Sequence, residues 1–306
     1  MTRQIRIATR RSRLALWQAE HVALRLTAAH AGLVVSLVPI VTAGDRIQDR
    51  SLAAEGGKGL FIKELEYAIE AGQADIAVHS MKDMPSELPP RFVIGAALER
   101  GDPRDVLVCP RHESLAALPR GARIGTSSLR RECQLRHARP DIQIIVLRGN
   151  VETRLRKLDA GDCDATILAA AGLERLGLGA RIRAHLSSQQ MLPAVGQGVI
   201  GIECGAGQDE ILALIRPLEH AASRTALDCE RAFAARLGGS CQSPIAAHAT
   251  LDGETLQLRG LVGSPDGRTM FADDISGPAT DAVRLGTALA GRLLDAGVEE
   301  LLKCLG

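Results

Sequence analysis

The chain has 306 residues, too many for one ordinary core, and its 46% hydrophobic and 24% charged content is unlike that of a disordered polypeptide. A formal net charge of +1 gives no global field toward nucleic acid or membrane surfaces, and 2% aromatic residues, with Trp17 and Tyr67 the sole Trp and Tyr, argue against base-stacking platforms. Seven cysteines without a CxxC pair suit neither a disulfide framework nor a structural zinc site, and neither a membrane span nor a secretory signal is visible, so a soluble cytoplasmic chain with no metal is expected.

The first hundred residues alternate short apolar runs with amphipathic stretches. Arg6 to Thr9 reads as a strand, Leu14 to His30 as a helix and Leu33 to Val41 as a second strand. Leu60 to Gly72 reads as a helix ended by its glycine, followed by the strand-like ADIAVHS and FVIGAALE. The segment RGDPRD, Arg100 to Asp105, combines Gly, Pro and charge and is a candidate hinge. A second alternation follows to about Leu178: DVLVCP, ARIGTSS, helical SLRRECQLRHARP, strand-like IQIIVLRG, helical NVETRLRKLDAG and apolar DATILAAAGL. Both stretches carry the rhythm of an α/β sheet. After LPAVGQGVIGIEC comes a helical pattern from Pro217 to Leu237, then strand-and-turn segments around LDGETLQLRGLVGSPDG with Asp-Gly turns, and a last helix from about Thr280 to Lys303, together indicating a small α+β region.

Three features carry chemistry. In HSMKDMPS, Lys82 and Asp83 lie just beyond a strand, where side chains project from a rigid support; a surface ion pair at a strand end is the bland reading of the same residues. From Arg123 to Lys157 nine basic residues face three acidic ones. Within that stretch Thr126, Ser127 and Ser128 open a helix, so that backbone N–H groups and hydroxyls meet an anion, and Arg130 and Arg131 add bidentate donors. Arg148 and Arg154 bracket the start of the next helix, whereas Arg136, Arg139 and Arg156 fit a solvated face. Third, Cys241 sits in the Gly/Ser/Pro loop LGGSCQSP, unlike cysteines in apolar runs such as Cys109, Cys163 and Cys204, and is a candidate nucleophile or attachment point.

Taken in order, RIATRRSRLALWQ, GGKGLF, DIAVHSMKDMPSELP, ERGDPRD, GTSSLRR, LRGNVETRL, AGLERLG, LPAVGQG and GGSCQSPIA resemble the porphobilinogen deaminases across essentially the whole chain. The resemblance implies an α/β fold of two doubly wound domains like those of periplasmic binding proteins plus a small C-terminal α+β domain. Their expected bounds are 1–99 with 199–216, 104–193 and 220–306. It implies condensation of four porphobilinogen molecules head to tail, with loss of ammonia each time, and hydrolytic release of the linear tetrapyrrole hydroxymethylbilane. A dipyrromethane cofactor would be carried on Cys241 through a thioether, and Asp83 would be the catalytic carboxylate, binding pyrrole N–H groups and stabilising the cation that develops as ammonia leaves.

By the same resemblance Ser80, Lys82, Thr126, Ser128, Arg130, Arg131 and Arg154 hold the cofactor, and Arg10, Ser12, Gln18, Lys58, Phe61, Arg148 and Arg175 take substrate. Each pyrrole brings an acetate and a propionate, which accounts for so many arginines. Where some relatives carry Lys in the loop before GGKG this chain has Ala54, which leaves Lys58 as the contact there; Arg13, Ser240 and Ser243 also depart from the common pattern. Expected partners are porphobilinogen and the growing polypyrrole, without nucleic acid or membrane, on a monomer. A non-catalytic two-domain anion-binding protein would have no need of Cys241 or Asp83; a cysteine acyl transferase would need a His or acidic partner that no motif provides. A nucleic-acid binder would explain the basic stretch but not the neutral net charge.

Overall fold

The computed structural model describes residues 4–42, 62–239 and 243–303. By internal contacts the chain divides into two compact units, Met1–Arg100 with Val199–Arg224 and Gly101–Gly198 with Thr225–Gly306.

The first unit is built on a five-stranded sheet in the order β2-β1-β3-β10-β4. Its strands are β1 Gln4–Arg10, β2 Val34–Ile40, β3 Ile76–Ser80, β4 Phe92–Ala97 and β10 Ile200–Gly205. β1 is parallel to β2 and β3, whereas β10 enters antiparallel between β3 and β4. Strand pleating sends Ile5 and Ile7 to one face, where Ala19, Val22 and Leu26 of helix α1 (Arg13–Ala29) cover them. Ala8 and Ala77 face the other way, against Leu65, Ala68 and Ile69 of α2 (Lys63–Glu70). β3 is buried along most of its length and opens on the apolar run Ile76–Val78, whereas β1 interleaves Arg6, Thr9 and Arg10 with its apolar residues. The Ser12 hydroxyl accepts from the Ala15 N–H at 3.3 Å and so caps α1.

A short helix, α6 (Asp209–Ile215), has no counterpart in the sequence reading, because seven residues are too few for a helical period to register. The helix expected from Pro217 instead starts at Ala221 as α7 (Ala221–Arg236). Before it, Arg216–Leu218 forms a tight turn, and Glu219 accepts from the Ala97 N–H at 2.7 Å while pairing with Arg224.

The second unit holds two sheets. One runs β7-β6-β8-β5-β9, with β5 Asp105–Val108, β6 Arg123–Gly125, β7 Gln143–Ile145, β8 Ala165–Ala169 and β9 Ala184–His185. Its helices are α3 (Leu129–Ala138), α4 (Val151–Asp159) and α5 (Ala170–Arg175); the apolar run from Asp164 to Leu173 is therefore a strand turning directly into a helix. The other is the antiparallel sheet β11-β12-β13, of Ile245–Asp252, Thr255–Gly263 and Met270–Pro278. Phe233 of α7 and Leu285 and Leu289 of α8 (Ala282–Leu293) pack on one face, against Leu256 and Leu258; Ala246 and Leu261 on the other meet Cys133 of α3 and Leu192. The last helix is interrupted over Leu294–Val298, where Gly297 leaves helical geometry with φ 104°, and resumes as α9 (Glu299–Lys303).

Glu230 of α7 is fully buried and accepts from the backbone N–H groups of Gly196 at 2.7 Å and Ala249 at 2.8 Å. It fixes the 192–198 segment and β11 to α7. Glu230→Leu strands both donors in the interior and is expected to cost about 2–5 kcal/mol. Urea unfolding with an unchanged slope checks this; an unchanged midpoint contradicts it.

Candidate functional site

In the first unit a pocket opens at the C-terminal end of β3. Arg10, Ser12, Gln18, His79, Ser80 and Asp83 line it with Leu14, Ala15, Ile62 and Val78. Lys82 and Asp83 occupy a single tight turn, Met81–Asp83, anchored by its first residue. The Met81 N–H donates to the Val199 carbonyl at 3.0 Å, and its buried side chain lies so close to Gly201 that a Cβ there would overlap the sulfur. Gln18, buried on α1, donates from Nε2 to the Ser80 hydroxyl at 2.8 Å and so holds the residue that enters the turn. Behind it His79 Nε2 lies 2.9 Å from Glu203 Oε2, both groups buried. Burial, reinforced by the Glu203 charge, pushes the nearby Glu66 carboxyl up. The arrangement offers one carboxylate, Asp83, among hydroxyl, amide and guanidinium groups on a stiff support.

In the second unit successive strand-to-helix turns present cations. The Ser128 hydroxyl caps α3 by accepting from the Arg131 N–H at 3.4 Å, and buried Thr126 accepts from the Ser128 N–H at 3.2 Å. Arg130 and Arg131, each 5% exposed, converge on Asp105, which is 0% exposed. Arg130 Nη2 lies 2.8 Å from Asp105 Oδ2 and Arg131 Nη2 2.8 Å from Oδ1. The two guanidinium charges hold the Asp105 carboxyl well below the usual carboxylate range despite its burial, and burial pushes Arg130 down.

One helix further on, Asn150 caps α4 by accepting from the Thr153 N–H at 2.8 Å, and Arg154 Nε donates to the Gly149 carbonyl at 2.9 Å. Gly149 has φ 114° and so little room beside Thr153 that a Cβ would clash, so the turn carrying Arg148 requires glycine. Arg175, at the end of α5, donates to the Gly198 carbonyl at 2.6 Å, and burial pushes its pKa down to about 10. It keeps its charge at neutral pH in a desolvated setting.

Arg10, Ser12, Gln18, Ser80, Lys82 and Asp83 thus gather at one end of the first sheet, and Thr126, Ser128, Arg130 and Arg131 around the start of α3. Arg148 lies in the neighbouring turn, and Arg154 on α4 donates back to it. Lys58, Phe61 and Cys241 lie outside the described residues. Sequence reasoning missed Asp105 and Gln197 as site-building residues, having read the first only as part of a hinge. It also passed over the His79–Glu203 pair. The available signal was polar: an acidic residue opening an apolar strand, and a Gln flanked by glycines, both 0% exposed once folded.

The family model described as "Porphobilinogen deaminase, dipyromethane cofactor binding domain" matches residues 5–213, and "Porphobilinogen deaminase, C-terminal domain" matches 225–295. The porphobilinogen deaminase of Stenotrophomonas maltophilia (strain K279a) is 56% identical over 299 residues, covering 97% of this chain and 98% of that protein. Among solved structures, the periplasmic aliphatic sulphonate binding protein SsuA from Escherichia coli is 14% identical with a TM-score of 0.43, over 77% of this chain and 70% of that one. The methionine binding protein MetQ is 13% identical with a TM-score of 0.44, over 76% and 94%.

Cys109, Cys133, Cys163, Cys204 and Cys229 are all buried free thiols. Burial pushes Cys133 and Cys229 up to about 12 and Cys204 up to about 11. Iodoacetamide at pH 8 is therefore expected to leave these five unmodified in the native chain and to label all of them in denaturant. Peptide mass mapping reads the result; native labelling at Cys133 or Cys229 contradicts it.

Proposed function

The chain belongs to the porphobilinogen deaminase family, and from that membership we propose which of its residues carry the reaction. The activity is that of a transferase of tetrapyrrole biosynthesis, a hydroxymethylbilane synthase, which condenses porphobilinogen stepwise with loss of ammonia. The first matched domain is the one that binds the dipyrromethane cofactor.

In our reading Cys241 carries that cofactor through a thioether. The burial and raised pKa values of other cysteines support this, since they lack the thiolate character that attachment requires. The donors around α3 fit a group rich in carboxylates: two guanidinium groups meet one acid, and Arg131 Nε is buried with no hydrogen-bond partner. Arg130, Arg131, Thr126, Ser128 and Arg154, with Ser80 and Lys82, hold the cofactor. When bound, the dipyrromethane supplies the pyrrole carbon to which an incoming unit is joined. Arg10, Ser12, Gln18, Arg148 and Arg175 take the acetate and propionate of substrate and of the growing polypyrrole. Lys58 and Phe61 complete that set by resemblance alone.

Asp83 accepts hydrogen bonds from pyrrole N–H groups, stabilises the cation that develops as the aminomethyl group loses ammonia, and takes part in proton transfer. The observation that carries this role is its place on a turn pinned by Met81 to Val199, at the mouth of a pocket with Arg10, Ser12, Gln18 and Ser80. Desolvation inside such a pocket strengthens a charge that is preorganised toward the reacting centre.

We read the chain as three domains, 1–99 with 199–216, 104–193 and 220–306, a division supported by three sheets with cores of their own. The protein works as a cytoplasmic monomer on porphobilinogen and the polypyrrole chain, apart from nucleic acid and membranes. No helix among the described residues is long and apolar enough to cross a membrane.

Asp83→Asn keeps the shape of the side chain and removes its charge. Its turnover of porphobilinogen is expected to fall by about 10²–10³-fold or more, with the cofactor still attached, as read by hydroxymethylbilane formation beside intact mass. Near wild-type turnover in that variant contradicts the assignment.

A further inference from the structure

We infer that Asp105 is a positioning residue for carboxylate recognition: it fixes the guanidinium groups of Arg130 and Arg131 so that their surplus charge meets a carboxylate of the dipyrrole. The inference rests on the cofactor-binding role proposed above for these two arginines.

Each oxygen of the Asp105 carboxylate takes one guanidinium, both at 2.8 Å. A third donor, Gln197 Nε2, reaches Oδ1 at 3.0 Å and the Pro103 carbonyl at 2.6 Å, so the carboxylate is held from another side. The arginines are locked at their other ends as well. Arg130 Nη1 donates to the Leu192 carbonyl at 2.6 Å, and Arg131 Nη1 to the Ile167 carbonyl at 2.9 Å. What remains is a surplus of one positive charge and the buried Nε of Arg131, which has no hydrogen-bond partner. A buried donor and a desolvated cation are both satisfied by one further anion. Without Asp105 the two guanidinium groups would repel each other, and neither their spacing nor the single surplus charge would survive. Gln197, being neutral, braces the carboxylate without cancelling that surplus. This gives the segments RGDPRD and LPAVGQG a task that a hinge does not require.

The test uses the full-length chain prepared without porphobilinogen, to which porphobilinogen is then added while the dipyrrole mass adduct is followed in time. Asp105→Asn keeps the shape and removes the charge; Asp105→Glu keeps the charge and displaces it. Both variants are expected to melt cooperatively and to acquire the adduct at least about tenfold more slowly than wild type, counted per folded molecule. A purely structural role would lower the melting temperature and leave that rate unchanged. Wild-type attachment in either variant overturns the inference. Where Asp105→Asn does not fold, Asp105→Glu carries the test; loss of cooperative melting in both also overturns it, since Asp105 would then be needed for folding first. A wild-type chain that takes up no dipyrrole overturns the cofactor reading, and the wild-type arm thereby separates the two failures.

Discussion

A single carboxylate between two guanidinium groups, sealed from water, is the constraint around which the second unit is arranged. Removing three charges from solvent costs several kcal/mol for each ion, and mutual attraction offsets this only when the remaining donors and acceptors are also met. Asp105 meets that condition in part by opening β5 beside β8, where the Ile167 carbonyl takes up Arg131 while the Leu192 carbonyl takes up Arg130, and Arg131 Nε stays without a hydrogen-bond partner. Helix α3, capped by Ser128, carries both arginines in its first turn. The 192–198 segment must turn back to deliver Gln197, and Glu230 fixes that turn through Gly196. Strand, helix and loop therefore converge on one ion cluster, which leaves one positive charge uncancelled.

The first unit follows the opposite logic. The carboxylate proposed to react, Asp83, is half-buried and stands on a turn held by neutral contacts, Met81 to Val199 and Gln18 to Ser80. The His79–Glu203 pair lies beneath that turn and stays within the interior.

Much of this was legible in the sequence. The alternation of apolar runs and amphipathic stretches gave both α/β sheets, because strands buried on two faces, such as β8, are apolar along most of their length. Thr126 to Ser128 marked the start of α3, which Ser128 caps, whereas the caps Ser12 and Asn150 were not read from the sequence. What escaped was either short or non-local. Helix α6 is too brief to show a period, Gly297 breaks a pattern that otherwise reads as one helix, and β8 passes into α5 without a turn residue between them. Asp105 escaped for another reason: its partners lie 25 and 26 residues away, and Gln197 92, so nothing in the local pattern separates it from a surface acid in a Gly-Pro loop. Arg130 and Arg131 were found from the motif, yet their burial, and with it the need for a counter-ion, became visible only in the fold.

We propose that this chain does its chemistry on a dipyrrole bound to Cys241, held by arginines whose charge Asp105 only half cancels. The most direct measurement is the intact mass of the purified protein and of Cys241→Ser, before and after addition of porphobilinogen. The account predicts a covalent dipyrromethane adduct on the wild-type chain and none on the variant. A wild-type chain that stays unmodified after porphobilinogen, or an adduct that persists in Cys241→Ser, contradicts it.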